Sequence, residues 1–262
     1  MIMLFSLIAI IDAKNVFIAD FDSSHFKNSF ENGHEGRSEI IYDSLLQNHV
    51  LRLKYPKGCV GTGIQGSTPC AVQLHVPLET PGDTMWLSYK VFFEPGFDFR
   101  KGGKLPGFCG GKCYTGGKKP LVGDGWSARI MWRDEGKIEQ YIYSIDQRSK
   151  YGESALWNLG GQIPQAQFET GKWNTLRTKL ILNSVNEEGK GARNGIIQCW
   201  FNKDLVLSLD SIRFRDFSSV HIDQLYFSTF HGGSAPYWAP RTDSYTRFDD
   251  FVISKDSIAF TP

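Results

Sequence analysis

The sequence predicts an all-β fold, a jelly-roll sandwich of two antiparallel sheets. Apolar residues recur with a period of two along most of the chain, the runs are bounded by Gly, Pro, Asn and Asp, and neither an internal repeat nor a Pro/Ser linker interrupts them. A period of two sets alternate side chains on opposite faces of a strand, so each run can offer one face to a core and the other to solvent. The lack of a repeat argues against a propeller or a solenoid. A chain of 262 residues is within reach of one large β domain, and residues 14–262 are read as a single unit.

Taken in order, Met1 to Ala13 is an apolar run too short to span a bilayer, and it reads as a signal peptide. Strands are expected at Asn15–Phe21, His49–Lys54, Cys70–Val76, Thr84–Phe93, Trp126–Arg133, Lys137–Ser144, Trp173–Leu182, Gly195–Phe201, Leu205–Leu209, His221–Phe230 and Ser244–Ser254. Short peripheral helices are expected near Glu39–Leu46 and Ser211–Phe214. The composition is 41% hydrophobic, 14% aromatic and 22% charged, which suits a packed core and not a disordered chain. With 29 basic and 28 acidic side chains the net charge is +1, so no global field draws the protein to nucleic acid or to a membrane. Binding of a polyanion would need a local cluster of cations.

The cysteines fall as Cys59 and Cys70, Cys109 and Cys113, and Cys199 alone in an apolar run. Local bridges Cys59–Cys70 and Cys109–Cys113 across Gly-rich loops are expected, with Cys199 a buried thiol. A zinc site at Cys109 and Cys113 lacks paired histidines at ligand spacing. Together with the leader, the bridges point to a secreted protein.

The most informative stretch runs from Trp126 to Ser144 and reads as a β-hairpin turning at Asp134-Glu135-Gly136. With Arg133 opposite Lys137, Arg129 faces Tyr141 and Ser127 faces Tyr143, which brings four polar groups onto one patch. The opposite face carries Trp126, Ala128, Ile130 and Trp132 against Ile138, Gln140 and Ile142, a core-facing surface. The polar face is therefore expected to be exposed. A two-residue turn would mix the faces and is rejected.

Upstream lies Gly102-Gly103-Lys104-Leu105-Pro106-Gly107. This run, then Gly123-Asp124-Gly125-Trp126-Ser127-Ala128-Arg129-Ile130-Met131-Trp132-Arg133 and Tyr141-Ile142-Tyr143, resembles the family 14 polysaccharide lyases, which degrade alginate and glucuronate polymers. The likeness extends from about Leu51 to Ser254, and the Lys-Leu-Pro-Gly text is also similar to fungal glucuronan lyases. The resemblance implies a jelly roll with a substrate cleft on one sheet, no metal or other cofactor, and functional roles for Lys104, Ser127, Arg129, Tyr141 and Tyr143. The Cys109–Cys113 loop is a possible departure affecting cleft width.

The chemistry agrees with that set. Removing the C5 proton of a uronate builds a second negative charge beside the carboxylate, so a cation must hold the carboxylate group. Arg129 can do this bidentately, with Lys104 as a nearby point charge. Tyr141 or Tyr143, beside those cations, is expected to have its pKa lowered enough to take the proton or to protonate the departing O4. The C5 proton and O4 lie on one side in mannuronate and glucuronate, which favours those sugars over guluronate. Substrate contacts are further expected from His231 at a strand end and from Tyr237, Trp238 and Arg241 in a Pro-flanked loop. Asp20, Asp22, Asp249 and Asp250 are weighed as calcium ligands and read as solvated acids. No phosphate loop, serine-hydrolase elbow or zinc-protease motif occurs, and a glycosidase would need a carboxylate partner for Glu139. The expected enzyme is a monomeric lyase that cleaves an acidic polysaccharide, most simply poly-mannuronate in alginate, with glucuronan as the alternative substrate. A non-catalytic lectin-like module is the alternative from a different class, and it would not need the tyrosine pair.

Overall fold

The computed structural model describes residues 15–22, 36–61, 70–159 and 165–258, and the expected leader lies outside them. Its strands are β1 (Asn15–Ala19), β2 (Ser38–Asp43), β3 (Asn48–Tyr55), β4 (Val72–Gly82), β5 (Thr84–Phe93), β6 (Gly102–Gly111), β7 (Gly125–Arg133), β8 (Ile138–Tyr143), β9 (Glu153–Leu156), β10 (Trp173–Ile181), β11 (Gly195–Phe201), β12 (Asp204–Ile212), β13 (Ile222–His231) and β14 (Ser244–Ser254). One sheet has eight strands in the order β12-β11-β10-β5-β14-β3-β2, with β1 also on β14; the other has six in the order β4-β13-β6-β7-β8-β9. The pairs are antiparallel, and the two sheets form the expected jelly-roll sandwich.

The core lies between the sheets, where alternate residues of the facing strands meet. Trp126, Ala128, Ile130 and Trp132 of β7 join Ile138 and Ile142 of β8, Phe227 of β13, and Tyr89 and Phe251 of the larger sheet in one cluster. Gln140 is polar at a core position, yet both ends of its amide are used: Nε2 donates to the Arg129 carbonyl and Oε1 accepts from the Cys199 thiol.

Both expected helices are absent. Glu39–Leu46 is mostly strand β2, and the carboxylate of Asp43 captures the amides of Leu45 and Leu46 to form the turn into β3. Near Ser211–Phe214, the amides of Phe214 and Arg215 both donate to Asn183 Oδ1, which removes the donors that would start a helix. The Gly-rich run at 102–111, which is not among the expected strands, is strand β6 in the middle of the smaller sheet. Its glycines are steric requirements. A Cβ at Gly103 would fall inside the Trp132 indole, and one at Gly107 would collide with the backbone of Ala128 and Arg129.

Asp249 of β14 is fully buried, and Asn48 Nδ2 donates to one of its oxygens at 2.7 Å. Burial pushes its pKa up to about 7, against the opposing Asn48 hydrogen bond and with help from the neighbouring Asp250 charge. An unfolded aspartate titrates near pH 4, so the stability contributed by the protonated form is complete below that value and is lost as pH rises through 7. The change is on the order of 4 kcal/mol. Asp249→Asn should flatten this dependence and raise the melting temperature above that of the parent at about pH 8, as thermal unfolding at about pH 5 and pH 8 would show.

Candidate active site

A straight row of residues crosses the six-stranded sheet, one from each strand. His75 of β4, Tyr226 of β13, Gly107 of β6, Arg129 of β7, Tyr141 of β8 and Ser154 of β9 are successive cross-strand partners. The hairpin has the expected register, with Arg129 opposite Tyr141 and Ser127 opposite Tyr143. Its turn uses positive φ at Gly136 (82°) and also at Glu135 (59°). Lys104 lies in β6 opposite Met131, which itself opposes Glu139, so these residues form a neighbouring row. The sheet thus brings Lys104, Ser127, Arg129, Tyr141 and Tyr143 together.

This face is covered, contrary to the sequence expectation. Ser127, Arg129, Tyr143, Tyr141 and Lys104 are 0%, 1%, 1%, 8% and 9% exposed. Residues 112–124, linking β6 to β7, fold back over it from a root held by the Cys109–Cys113 disulfide. Ser127 Oγ donates to the Tyr114 carbonyl (2.6 Å), Arg129 Nη2 donates to the Thr115 hydroxyl (3.0 Å), and the Gly117 amide donates to the Tyr143 phenol (3.1 Å). The Tyr114 ring packs on Met131, Tyr141 and Tyr143, and its hydroxyl donates to Asp124, which also pairs with Lys112. The hairpin pattern alone cannot reveal a loop that returns over it.

Neither buried cation meets a carboxylate among the described residues. Lys104 Nζ is 2.8 Å from the Met131 sulfur and 4.2 Å from the centre of the Tyr141 ring. Burial, followed by the charges of Arg129 and Arg133, holds its pKa well below the lysine range, with Glu139 opposing. Glu139 is engaged by Arg133 (2.6 Å) and Ser154 (2.8 Å). Arg129 Nη1 donates to the Ser228 hydroxyl at 3.2 Å, and its Nε has no partner. At Tyr141 the expected effect is reversed. Burial and its hydrogen bond to Tyr143 raise the pKa, and they outweigh the pull of Arg129. Tyr141 is therefore a protonated donor.

The remaining predicted contacts divide. His231 lies on the core side of β13, 1% exposed, stacked on Phe97 and edge-on to Tyr55 and Trp132. Its Nε2 is 2.7 Å from the Asp98 carbonyl, and burial lowers its pKa to about 4, so the ring is neutral and faces away from the patch. Trp238 lies at the rim, with the Arg133 guanidinium 5.8 Å from its ring. Tyr237 is exposed, and Arg241 is bound side-on by Asp98. The sequence reading missed Thr115, Gln73, His75, Tyr226 and Ser228. Their alternation with apolar neighbours is visible in Gln73-Leu74-His75 and Tyr226-Phe227-Ser228, but no local signal says which face of which sheet they join.

Both expected disulfides are present, and Cys199 is a buried thiol. His75, Cys109 and Cys113 lie close enough to hold a metal, but the two sulfurs are bonded to each other and offer no thiolate. Of the acids weighed as calcium ligands, Asp22 contacts His49 and Asp250 pairs with Lys90.

The family model for polysaccharide lyase 14 matches residues 44–251. The fold is similar to that of the PL-14 alginate lyase from Aplysia kurodai, at 25% identity over 92% of this chain and 99% of that one, with a TM-score of 0.73. It is also similar to an alginate lyase from Chlorella virus (20% identity, 92% and 100% of the chains, TM-score 0.70). An endo-β-1,4-glucuronan lyase from Trichoderma reesei shares the fold at 11% identity over 92% and 95% of the chains, with a TM-score of 0.56. No curated protein matches the sequence.

If the disulfide fixes the covering loop, replacing Cys109 and Cys113 together by Ser should speed hydrogen exchange at the Gly117 amide while amides in β7 stay protected. Unchanged exchange at Gly117 would mean that the loop is held by its other contacts alone.

Proposed function

The chain belongs to the polysaccharide lyase 14 family and is a lyase of uronate-containing polysaccharide, and we propose that its substrate is alginate, cleaved within poly-mannuronate by β-elimination. The observation that carries this reading is the buried guanidinium of Arg129, set beside Lys104 and two tyrosines with no carboxylate among the described residues to balance it. Burying a charge unpaired is costly, so a site built this way is suited to receive its anion from the substrate. Alginate supplies a carboxylate on every sugar, and the similar Aplysia kurodai enzyme is an alginate lyase. Glucuronan, with the same relation of C5 proton to O4, is the alternative substrate.

In the proposed mechanism the sugar carboxylate displaces the Thr115 hydroxyl from Arg129, and the guanidinium stabilises the charge that builds as the C5 proton leaves. Lys104, its pKa depressed by burial, is an amine able to take that proton. Tyr141, kept protonated by burial, delivers a proton to O4 as the C4–O4 bond breaks, leaving a C4=C5 double bond. Tyr143 accepts from the Gly117 amide and anchors Tyr141, and Ser127 fixes the loop at Tyr114. Lys104 sits over the Tyr141 ring, so base and acid approach from one side, as elimination from mannuronate requires. The two disulfides accord with secretion.

Ultraviolet absorbance of the unsaturated end, followed separately on poly-mannuronate, poly-guluronate and glucuronan, tests the substrate; fastest turnover of glucuronan would overturn the alginate assignment. Tyr141→Phe should lower kcat by a factor on the order of 10² or more with little change in KM, as loss of a general acid requires. Arg129→Ala should worsen both constants, because the clamp acts in the ground state and more strongly as charge develops. Because the base must be deprotonated, kcat should rise with pH through an ionisation below the ordinary lysine range. Lys104→Met should abolish that limb together with turnover, and a retained limb would remove Lys104 from the base role.

A further inference from the structure

Arg129 must present one particular edge of its guanidinium, and the polar groups behind it show how that edge is selected. Elsewhere in this protein, Arg52, Arg213 and Arg241 grip Glu94, Asp216 and Asp98 side-on, each through Nε and Nη2. In Arg129 the same edge is available. Its Nε has no partner, and its Nη2 is held only by Thr115 on the covering loop. The opposite corner, Nη1, is tied into the sheet through the Ser228 hydroxyl.

We propose that Gln73 is a positioning residue for the Arg129 clamp, acting through Ser228 and Tyr226 to turn the Nε/Nη2 edge toward the substrate carboxylate. The proposal rests on the reading of Arg129 as that clamp. Gln73 of β4 is the cross-strand partner of Ser228 in β13. Its Oε1 accepts from Ser228 Oγ at 3.1 Å and from Tyr226 Oη at 3.0 Å. A carbonyl oxygen can only accept, and a serine hydroxyl has one hydrogen. That hydrogen is spent on Gln73, so the lone pairs of Ser228 are left facing Arg129 Nη1. Without Gln73 the hydroxyl is free to rotate and point its hydrogen at the guanidinium.

The same amide oxygen also fixes Tyr226. With its hydroxyl tied down, the Tyr226 ring lies 4.6 Å from Arg129 Cζ on one side and stacks on His75 at 4.4 Å on the other. Gly107, the residue of β6 between Tyr226 and Arg129 in the row, has no side chain to separate ring from guanidinium. Gln73 therefore controls the Nη1 anchor and the π surface beside the clamp, without a contact of its own to Arg129.

A double-mutant cycle on poly-mannuronate tests this. Gln73→Leu and Ser228→Ala should each lower kcat/KM about tenfold, mostly through KM, with melting temperatures close to the parent's, and the double variant should lose clearly less than the product of the two single losses, the remainder coming through Tyr226. Gln73→Met, which keeps side-chain length without an acceptor, replaces the leucine variant if that one folds poorly. Additive losses would overturn the proposal by showing that Gln73 acts independently of Ser228, as would a parental kcat/KM in the Gln73 variant. Arg129→Ala is measured alongside. Full activity in it would overturn the clamp reading itself, whereas an inactive Arg129→Ala beside a fully active Gln73→Leu would overturn the positioning role alone.

Discussion

The burial of Arg129 without a counter-charge is the constraint around which the smaller sheet is built. A guanidinium taken out of water costs several kcal/mol unless its donors and its charge are met. Here the protein meets it with neutral groups: a serine hydroxyl at one corner, a threonine hydroxyl at another and a tyrosine ring beside its plane. The partners come from two separate parts of the chain, Ser228 and Tyr226 from β13 and Thr115 from the loop before β7. Withholding a carboxylate keeps the charge available to an anion from outside.

The same economy of charge explains the two residues beside it. Lys104, buried and next to Arg129, is pushed toward its neutral amine, while Tyr141, buried and bonded to Tyr143, is pushed toward its neutral phenol. Desolvation favours the uncharged form of both. For an amine that means readiness to accept a proton, and for a phenol readiness to give one. In the proposed mechanism one physical effect thus divides the acid and base roles between neighbours that touch.

Much of the fold was legible because the hairpin of β7 and β8 carries its own proof of register: one face is tryptophan, isoleucine and alanine, the other serine, arginine and tyrosine, and a slip of one residue would mix them. The alternating runs of β5, β10 and β14 were readable for the same reason. Strand β6 was not, since glycine has no side chain to alternate and its role as a strand is set by the neighbours it must avoid. Helices were expected where Asp43 and Asn183 instead capture backbone amides, a competition decided by side-chain position and invisible to periodicity. Within the site, the hairpin residues were legible and those of β4 and β13 were not, because the partners of β4 lie far along the chain. His231 was legible as a strand-end residue, but only the tertiary pairing shows that its ring enters the aromatic core and bonds the Asp98 carbonyl.

The steric closeness of β6 to its neighbours bears on how such a site can change over generations. Gly103 and Gly107 flank Lys104 in the middle of the sheet, and neither position accepts even a methyl group without displacing Trp132 or the β7 backbone. Mutation therefore has almost no viable single steps along the floor of the site. A substitution at either glycine therefore calls for a compensating change in the strand beside it.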